Sequence, residues 1–145
     1  MIDIKKINVE DTYLLRIKVL RNGLSERYRF DKDDDIDTFH LGAFQDNECL
    51  GIATFLKNGH SFFKNAKNVY QLRGMAVDNV FQTKGVGKLI IKKAIEILNE
   101  SNSELLWCNA REHAIGFYKK MGFEVIGERF HVPNVGPHFV MYKYL

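Results

Sequence analysis

The sequence predicts an α/β (α+β) fold, in which a mixed β-sheet carries helices on both faces. A strand at 70–77 leads through a glycine loop into a long amphipathic helix from about 88 to 99, and a short apolar strand follows at 105–108. Because strand–helix–strand crossovers are right-handed and join parallel strands, this unit predicts a parallel pair. A hairpin before the unit and two strands after it predict antiparallel neighbours.

The elements before the central unit follow from the spacing of apolar residues. Residues 2–7 alternate apolar and polar side chains and predict a first strand. A helix is expected over 11–21, with Asn22-Gly23 as its end. The acidic run at 31–37 predicts a loop or a weak helix start.

A β-hairpin is expected next, followed by a loop. Two apolar runs, 40–44 and 50–56, flank four turn-forming residues at 45–48. The segment 58–68 is polar and predicts a loop.

The strand that precedes the glycine loop changes its apolar phase. Tyr70 and Leu72 are apolar at even positions, whereas Met75 and Val77 are apolar at odd positions. A bulge with Gly74 at its bend would produce this change.

The end of the chain predicts a helix and two strands. A helix is expected over 114–121, ending before a glycine. Strands are expected at 123–127 and 139–144, separated by a loop that holds Pro133 and Pro137.

The glycine loop is the strongest functional signal. Gly85 and Gly87 lie where the helix begins, and the first amides of a helix attract phosphate. The Walker pattern would need glycine at Gln82 and Ser or Thr at Leu89, and the dinucleotide pattern would need a small residue at Ile90. The loop therefore predicts a different phosphate site or a plain tight turn.

Four lysines gather near the start of this helix: Lys84, Lys88, Lys92 and Lys93. Cations there oppose the helix dipole by ~0.3–1 kcal/mol each, an effect that a polyanionic ligand would reverse. A solvated lysine face is the alternative interpretation.

Composition excludes several classes of protein. A length of 145 residues suits one domain, 1–145, and a formal charge of +3 does not indicate nucleic-acid binding. Cys49 and Cys108 form no CxxC pair, and the five histidines lack ligand spacing, so no metal is expected. No secretory signal or apolar run of about 18 residues is present, which predicts a cytoplasmic protein without membrane contact.

Several segments closely resemble the GNAT superfamily of N-acetyltransferases. Residues 72–77 and 82–88 are similar to its acetyl-CoA signature, whose loop reads Q/R-x-x-G-x-G/A. Residues 109–111 and 114–123 resemble its next elements, and the likeness runs in order over about 39–144. The resemblance implies a GNAT-like, mostly antiparallel sheet with a splayed central parallel pair.

The resemblance also implies the chemistry, which is transfer of an acetyl group from acetyl-CoA to an unidentified primary amine by direct attack. The loop amides would hold the pyrophosphate, and the strand after the Gly74 bend would pair with the pantetheine arm, which Asn109 would face from the other side. The residues so assigned to acetyl-CoA are Met75, Ala76, Val77, Gln82, Thr83, Lys84, Gly85, Val86, Gly87, Lys88 and Asn109. Such folds tend to dimerise, so a homodimer is compatible with the resemblance.

Tyr118 matches the family's tyrosine near the acetyl sulfur and would protonate the leaving thiolate. Its alternative role is a core aromatic, because Ile115 and Met121 share its helix face. The amide of Met75 or Ala76 could donate to the oxyanion.

The general base and the acceptor stay open. Many relatives place a glutamate on the bulged strand, whereas this strand offers Gln71 and Arg73. Glu112, His138 and a water chain are the candidates for the base. The Pro-His sequence at His138 resembles a bacterial GNAT subgroup, which makes this histidine a candidate substrate contact or a structural residue. The acidic run could attract a cationic amine or be a solvated loop. A non-catalytic acyl-CoA sensor, a phosphate-loop nucleotide binder and a protein-interaction domain are the alternative functions.

Overall fold

The computed structural model describes residues 1–20 and 28–145, so the predicted helix end at Asn22-Gly23 lies outside the described residues. The seven strands are β1 Asp3–Ile7, β2 Phe39–Gln45, β3 Glu48–Lys57, β4 Tyr70–Val77, β5 Leu105–Arg111, β6 Glu124–Val132 and β7 Gly136–Tyr144. The α-helices are α1 Tyr13–Leu15, α2 Val86–Glu100 and α3 Ile115–Lys120. The 3-10 turns are Val9–Thr12, Ser61–Phe63, Asn79–Phe81 and Glu112–Ala114.

The strands form one sheet in the order β1-β2-β3-β4-β5-β7-β6. Strand β4 pairs with β5 in parallel. The β1/β2, β2/β3, β5/β7 and β6/β7 pairs are antiparallel. This mixed, mostly antiparallel sheet confirms the predicted fold class. The parallel pair consists of β4 and β5, the two strands that the predicted strand–helix–strand crossover joins.

Several elements differ from the sequence prediction, and strands β5 and β6 run on to Arg111 and Val132, beyond their predicted ends at 108 and 127. The helix expected over 11–21 is split into the 3-10 turn, α1 and a π-helical segment, Arg16–Leu20. Strand β7 begins at Gly136, so Pro137 is a strand residue opposite His131 rather than part of a loop. Proline is tolerated near the first residue of a strand, because few hydrogen bonds to the neighbouring strand are lost there for want of its N–H.

One compact unit consists of Met1–Leu56 and Arg73–Ile97. Its core includes Leu15, Ile52 and Ala76. The β2–β3 turn has Asp46 at φ 51° and Asn47 at φ 67°, the positive values that a tight hairpin needs. Helix α2 buries one apolar face through Ile90, Ile91 and Ala94.

The second compact unit consists of Lys57–Leu72 and Leu98–Leu145. Its core is a cluster of Phe63, Val69, Leu105, Trp107 and Val140. The Trp107 indole N–H donates to the Asn58 carbonyl at 2.8 Å, which satisfies the polar edge of this buried ring. Within the ranges that the structure describes, no helix is both long and apolar enough to cross a membrane.

Candidate functional site

Strand β4 bends at Gly74. Its first part pairs with β5 through Tyr70–Leu72, and Gly74 then takes φ +66°, as the predicted bulge requires. The buried side chain beyond the bend is Ala76, whereas Met75 and Val77 are half-buried. Tyr70 and Leu72 before the bend and Ala76 after it are buried, and all three stand at even positions. The shift of the apolar residues to odd positions after Gly74 therefore does not change which face of this interior strand is buried.

The glycine loop has the geometry of a helix mouth. Thr83 and Gly85 have φ of +73° and +81°. Helix α2 begins at Val86, about two residues before the predicted start, and its first bond runs from the Leu89 amide to the Gly85 carbonyl at 3.2 Å. The amides of residues 86–88 precede that bond, so they are the unpaired donors of this terminus.

Space is open at the mouth. A Cβ added to Gly85 would meet no atom within 4 Å. Lys84 and Lys88 are exposed beside it, and Lys93 lies on the solvent face with Glu96 at 3.8 Å. The space beside Gly85 could admit an anion to this helix terminus, and the adjacent cations would favour it.

The Gln82 side chain braces this loop, a role that the sequence did not reveal. Its amide Nε2 donates to the Val77 carbonyl at 3.0 Å and to Asn79 Oδ1 at 3.1 Å. Asp78 caps the intervening 3-10 turn and forms an ion pair with Lys18 at 3.0 Å. The hydrogen bond from Lys18 is the main cause that lowers the pKa of Asp78. The end of β4 and the loop are thus tied together by side chains.

Tyr118 is a buried residue of the second unit. Its ring packs edge-on against Phe117 and Phe123, with centroids 5.1 Å and 5.5 Å away. Its hydroxyl is hydrogen-bonded to the Cys108 thiol, and burial followed by the proximity of Cys108 raises the Tyr118 pKa well above its ordinary value. The phenol keeps its proton at neutral pH and can act as a donor.

Cys108 lies on β5 beneath Tyr118 and is an inert thiol. Burial raises the pKa of Cys108 to about 12, although the hydrogen bond from Tyr118 lowers it. A thiol that stays protonated is a poor nucleophile, so Cys108 is a packing residue.

Asn109 and His138 belong to the same unit as Tyr118. Asn109 is exposed on β5 opposite Val140 of β7. His138 is buried, and its Nδ1 N–H donates to the Gly136 carbonyl at 2.9 Å while its ring stacks on Phe130. These contacts give His138 structural partners, and its candidate contact with substrate stays a prediction.

Gln71, on the strand where many relatives have a glutamate, and Glu112, a candidate base, both have partners. Gln71 is buried and accepts a hydrogen bond from Asn58 at 2.9 Å. Glu112 is exposed and forms an ion pair with Arg129 at 3.0 Å. Among the residues described, no group of His, Cys, Asp and Glu side chains could hold a metal ion.

A buried polar cluster in the first unit was not predicted. The Arg16 cluster is defined by Arg16, Asp33, Thr54 and His40. Arg16 is 0% exposed and donates to both Asp33 oxygens at 2.8 Å and 3.0 Å, to Thr54 Oγ1 at 2.7 Å and to the Tyr28 carbonyl at 2.9 Å. The acidic run is therefore not wholly solvated, and Asp33 is committed to Arg16 rather than free to attract a cationic amine.

His40 closes the Arg16 cluster as a neutral imidazole. Its Nε2 faces the Asp33 carbonyl at 3.1 Å, so this nitrogen carries the proton and Nδ1 accepts from the Thr54 hydroxyl at 2.7 Å. Burial lowers the pKa of His40; the Asp33 carbonyl and the Asp33 and Asp34 charges oppose this shift, whereas Arg16 adds to it.

The His40 tautomer predicts a pH dependence of stability. Because the folded pKa lies below 6.5, the unfolded chain takes up the proton first, and stability falls as pH drops below 6.5. Urea unfolding between pH 7 and 5 should show that His40 changes the free energy of unfolding of the wild type by up to about 1.4 kcal/mol per pH unit. The His40→Gln variant should lack this contribution. Equal pH slopes in the two proteins would contradict a buried neutral His40.

Comparison with known proteins supplies the family. The model of the acetyltransferase (GNAT) family matches residues 5–123. An uncharacterized N-acetyltransferase, YitI of Bacillus subtilis, is 40% identical over 100% of this chain and 97% of its own. The chain therefore belongs to the acetyltransferase (GNAT) family.

Solved structures share the fold at low sequence identity. A crystal structure of a Lactobacillus plantarum protein superposes with a TM-score of 0.80 at 17% identity, covering 99% of this chain and 98% of that one. An aminoglycoside 6′-N-acetyltransferase complexed with coenzyme A superposes with a TM-score of 0.72 at 14% identity, covering 98% and 96%.

Proposed function

We propose that this chain is an N-acetyltransferase that passes the acetyl group of acetyl-CoA to a primary amine by direct attack, with residues 1–145 acting as one domain. The observation that carries the proposal is the helix mouth at Gly85, where unpaired amides, a positive φ and open space occur together. Membership of the GNAT family supports the same chemistry. In the reaction the amine forms a C–N bond, the thioester C–S bond breaks, and the amine proton ends on the coenzyme A thiol.

The residues take roles that follow the resemblance. The amides of 82–88 would bind the pyrophosphate, and the backbone of Met75, Ala76 and Val77 would bind the pantetheine arm together with Asn109. Tyr118 would hold the proton that the leaving thiolate takes. His138 is proposed as a substrate contact, and a homodimer without bound nucleic acid or membrane also stays a prediction.

A thiol-release assay tests the reaction. Acetyl-CoA is mixed with the protein and with single amines, amino acids, polyamines or peptides, and free coenzyme A is measured over time. Acceptor-dependent thiol release supports the proposal. Binding of acetyl-CoA in calorimetry without thiol release from any acceptor would favour the acyl-CoA sensor, and absence of binding would reject both functions.

Gly85→Ala tests the helix mouth itself. The new methyl meets none of the protein's own atoms within 4 Å, but it occupies the open space and strains a residue at φ +81°. Loss of one or two charge-assisted bonds to phosphate predicts a coenzyme A Kd raised about 10- to 100-fold, measured by calorimetry.

Gly136→Ala is the matched control for this variant. Gly136 has φ +118° and open space around its added Cβ, so this variant also strains a positive-φ glycine while the glycine loop is untouched. An equal Kd in wild type and Gly85→Ala, or an equal loss in Gly136→Ala, would remove the loop from the binding site.

A further inference from the structure

Arg73 lies at the bend of β4 and forms no ion pair with any residue that the structure describes. It is exposed, it immediately precedes Gly74, and its guanidinium lies 4.3 Å from the centroid of the Phe30 ring. Within residues 1–20 and 28–145, no carboxylate lies at ion-pair distance from it. The guanidinium is thus held against an aromatic ring while its N–H groups are not engaged by an acidic side chain.

Phe30 is a fixed platform for this guanidinium. The ring is buried, and a Cβ on Gly74 would lie 2.6 Å from Phe30 Cε2, so the glycine admits the ring against the strand. The guanidinium of Arg16 lies 3.8 Å from the same ring centroid, but Asp33 neutralises it. Among the described residues, Arg16 and Arg73 both contact Phe30, and of these two only Arg16 is paired with a carboxylate.

The surroundings of Arg73 favour a bound anion. Burial, followed by the nearby Arg16 charge, lowers the pKa of Arg73, and Asp31 and Asp33 only partly oppose this shift. An anion beside Arg73 would relieve the repulsion between the two guanidiniums. A carboxylate suits the site because its two oxygens match the fork of a guanidinium whose position is fixed by stacking.

We propose that Arg73, stacked on Phe30, binds a carboxylate carried by the acceptor, so that the acceptor is an amino acid or a similar small amine with a carboxylate. This inference rests on the proposed acetyl transfer. Strands rise about 3.3 Å per residue, so Arg73 lies roughly 7 Å before Met75, where the proposed acetyl site begins. A carboxylate a few ångströms from the reacting nitrogen would reach Arg73, whereas a polyamine would meet a like charge.

Matched acceptors and variants test the proposal. The KM of each of the twenty L-amino acids is compared with the KM of its amide in the thiol-release assay, for wild type, Arg73→Met, Arg73→Lys and Arg29→Met. Arg29→Met is the control because Arg29 is also exposed and stacks on rings, but on those of Tyr13 and Tyr28 rather than on Phe30.

For each protein, we compare the ratio of the KM of the amide to the KM of the amino acid. The amino groups of the two compounds differ in basicity, but this difference is the same for every protein and does not affect the comparison of their ratios. For the preferred amino acid, we expect the wild type to favour the acid and Arg73→Met to lower the ratio about 10- to 100-fold, since a charged hydrogen-bonded pair is lost. Arg73→Lys should keep part of the preference, and Arg29→Met all of it, with the coenzyme A Kd of all four proteins equal.

Two results overturn the proposal: a wild-type preference for amides or polyamines, or an unchanged ratio in Arg73→Met. If no acceptor releases thiol, acetyl transfer has failed, and binding of the same acids and amides is then compared by ligand-observed NMR. Tighter binding of an acid that Arg73→Met abolishes supports the carboxylate site without catalysis. Equal binding of acid and amide rejects it.

Discussion

Tyr118→Phe is expected to lower kcat by about 10²- to 10⁴-fold, the usual contribution of a positioned general acid. The hydroxyl is buried and donates to the Cys108 thiol, and both its burial and that neighbour keep the phenol protonated. Under the proposed mechanism, this protonated phenol would give its proton to the departing thiolate. The variant is assayed by thiol release at saturating acetyl-CoA.

Coenzyme A affinity separates catalysis from binding in this experiment. Removing one hydroxyl leaves the ring and its packing against Phe123 in place, so the Kd in calorimetry should not change. Tyr142→Phe is the control, because it removes a tyrosine hydroxyl that binds Glu124 at the surface. An unchanged kcat in Tyr118→Phe would leave Tyr118 with a packing role alone.

The parts of the fold that the sequence predicted are those determined by local patterns. The hairpin turn needs residues that tolerate positive φ, and Asp46-Asn47 supplies them. Helix α2 has an apolar stripe at helical spacing, and the bend of β4 requires the glycine at 74. Each of these signals lies within a few residues of the structure that it specifies.

The parts that could not be predicted depend on residues distant in the chain. Arg16 meets Asp33 after 17 residues and Thr54 after 38, and no pattern distinguishes Asp33 from its exposed acidic neighbours. The Gln82 brace and the register that includes Pro137 in β7 likewise need the folded partners. In the candidate site, the sequence therefore named the loop residues, whose role in binding stays a prediction, but not the side chains that support the loop.

Asp33→Asn is expected to reduce the free energy of unfolding by about 3–5 kcal/mol, because it leaves the fully buried Arg16 charge without a counter-ion. That loss is a large fraction of the 5–15 kcal/mol that typically stabilises a domain. Urea unfolding at pH 7 measures it. Lys93→Met breaks the exposed pair with Glu96 and should change stability by less than about 0.5 kcal/mol.

The pH dependence and a second variant test the cause of that loss. Burial raises the pKa of Asp33, but the bonds from Arg16 and the Phe30 amide outweigh it, so the folded pKa lies below 3.8. The carboxylate's contribution is thus complete above pH 3.8 and disappears as pH falls through the folded pKa, and Asp33→Asn lacks this pH dependence. Replacing both partners, as Arg16→Met with Asp33→Leu, should cost less than Asp33→Asn alone, because no unpaired charge stays buried. A double variant less stable than Asp33→Asn would show that the pair contributes net stability beyond mutual neutralisation.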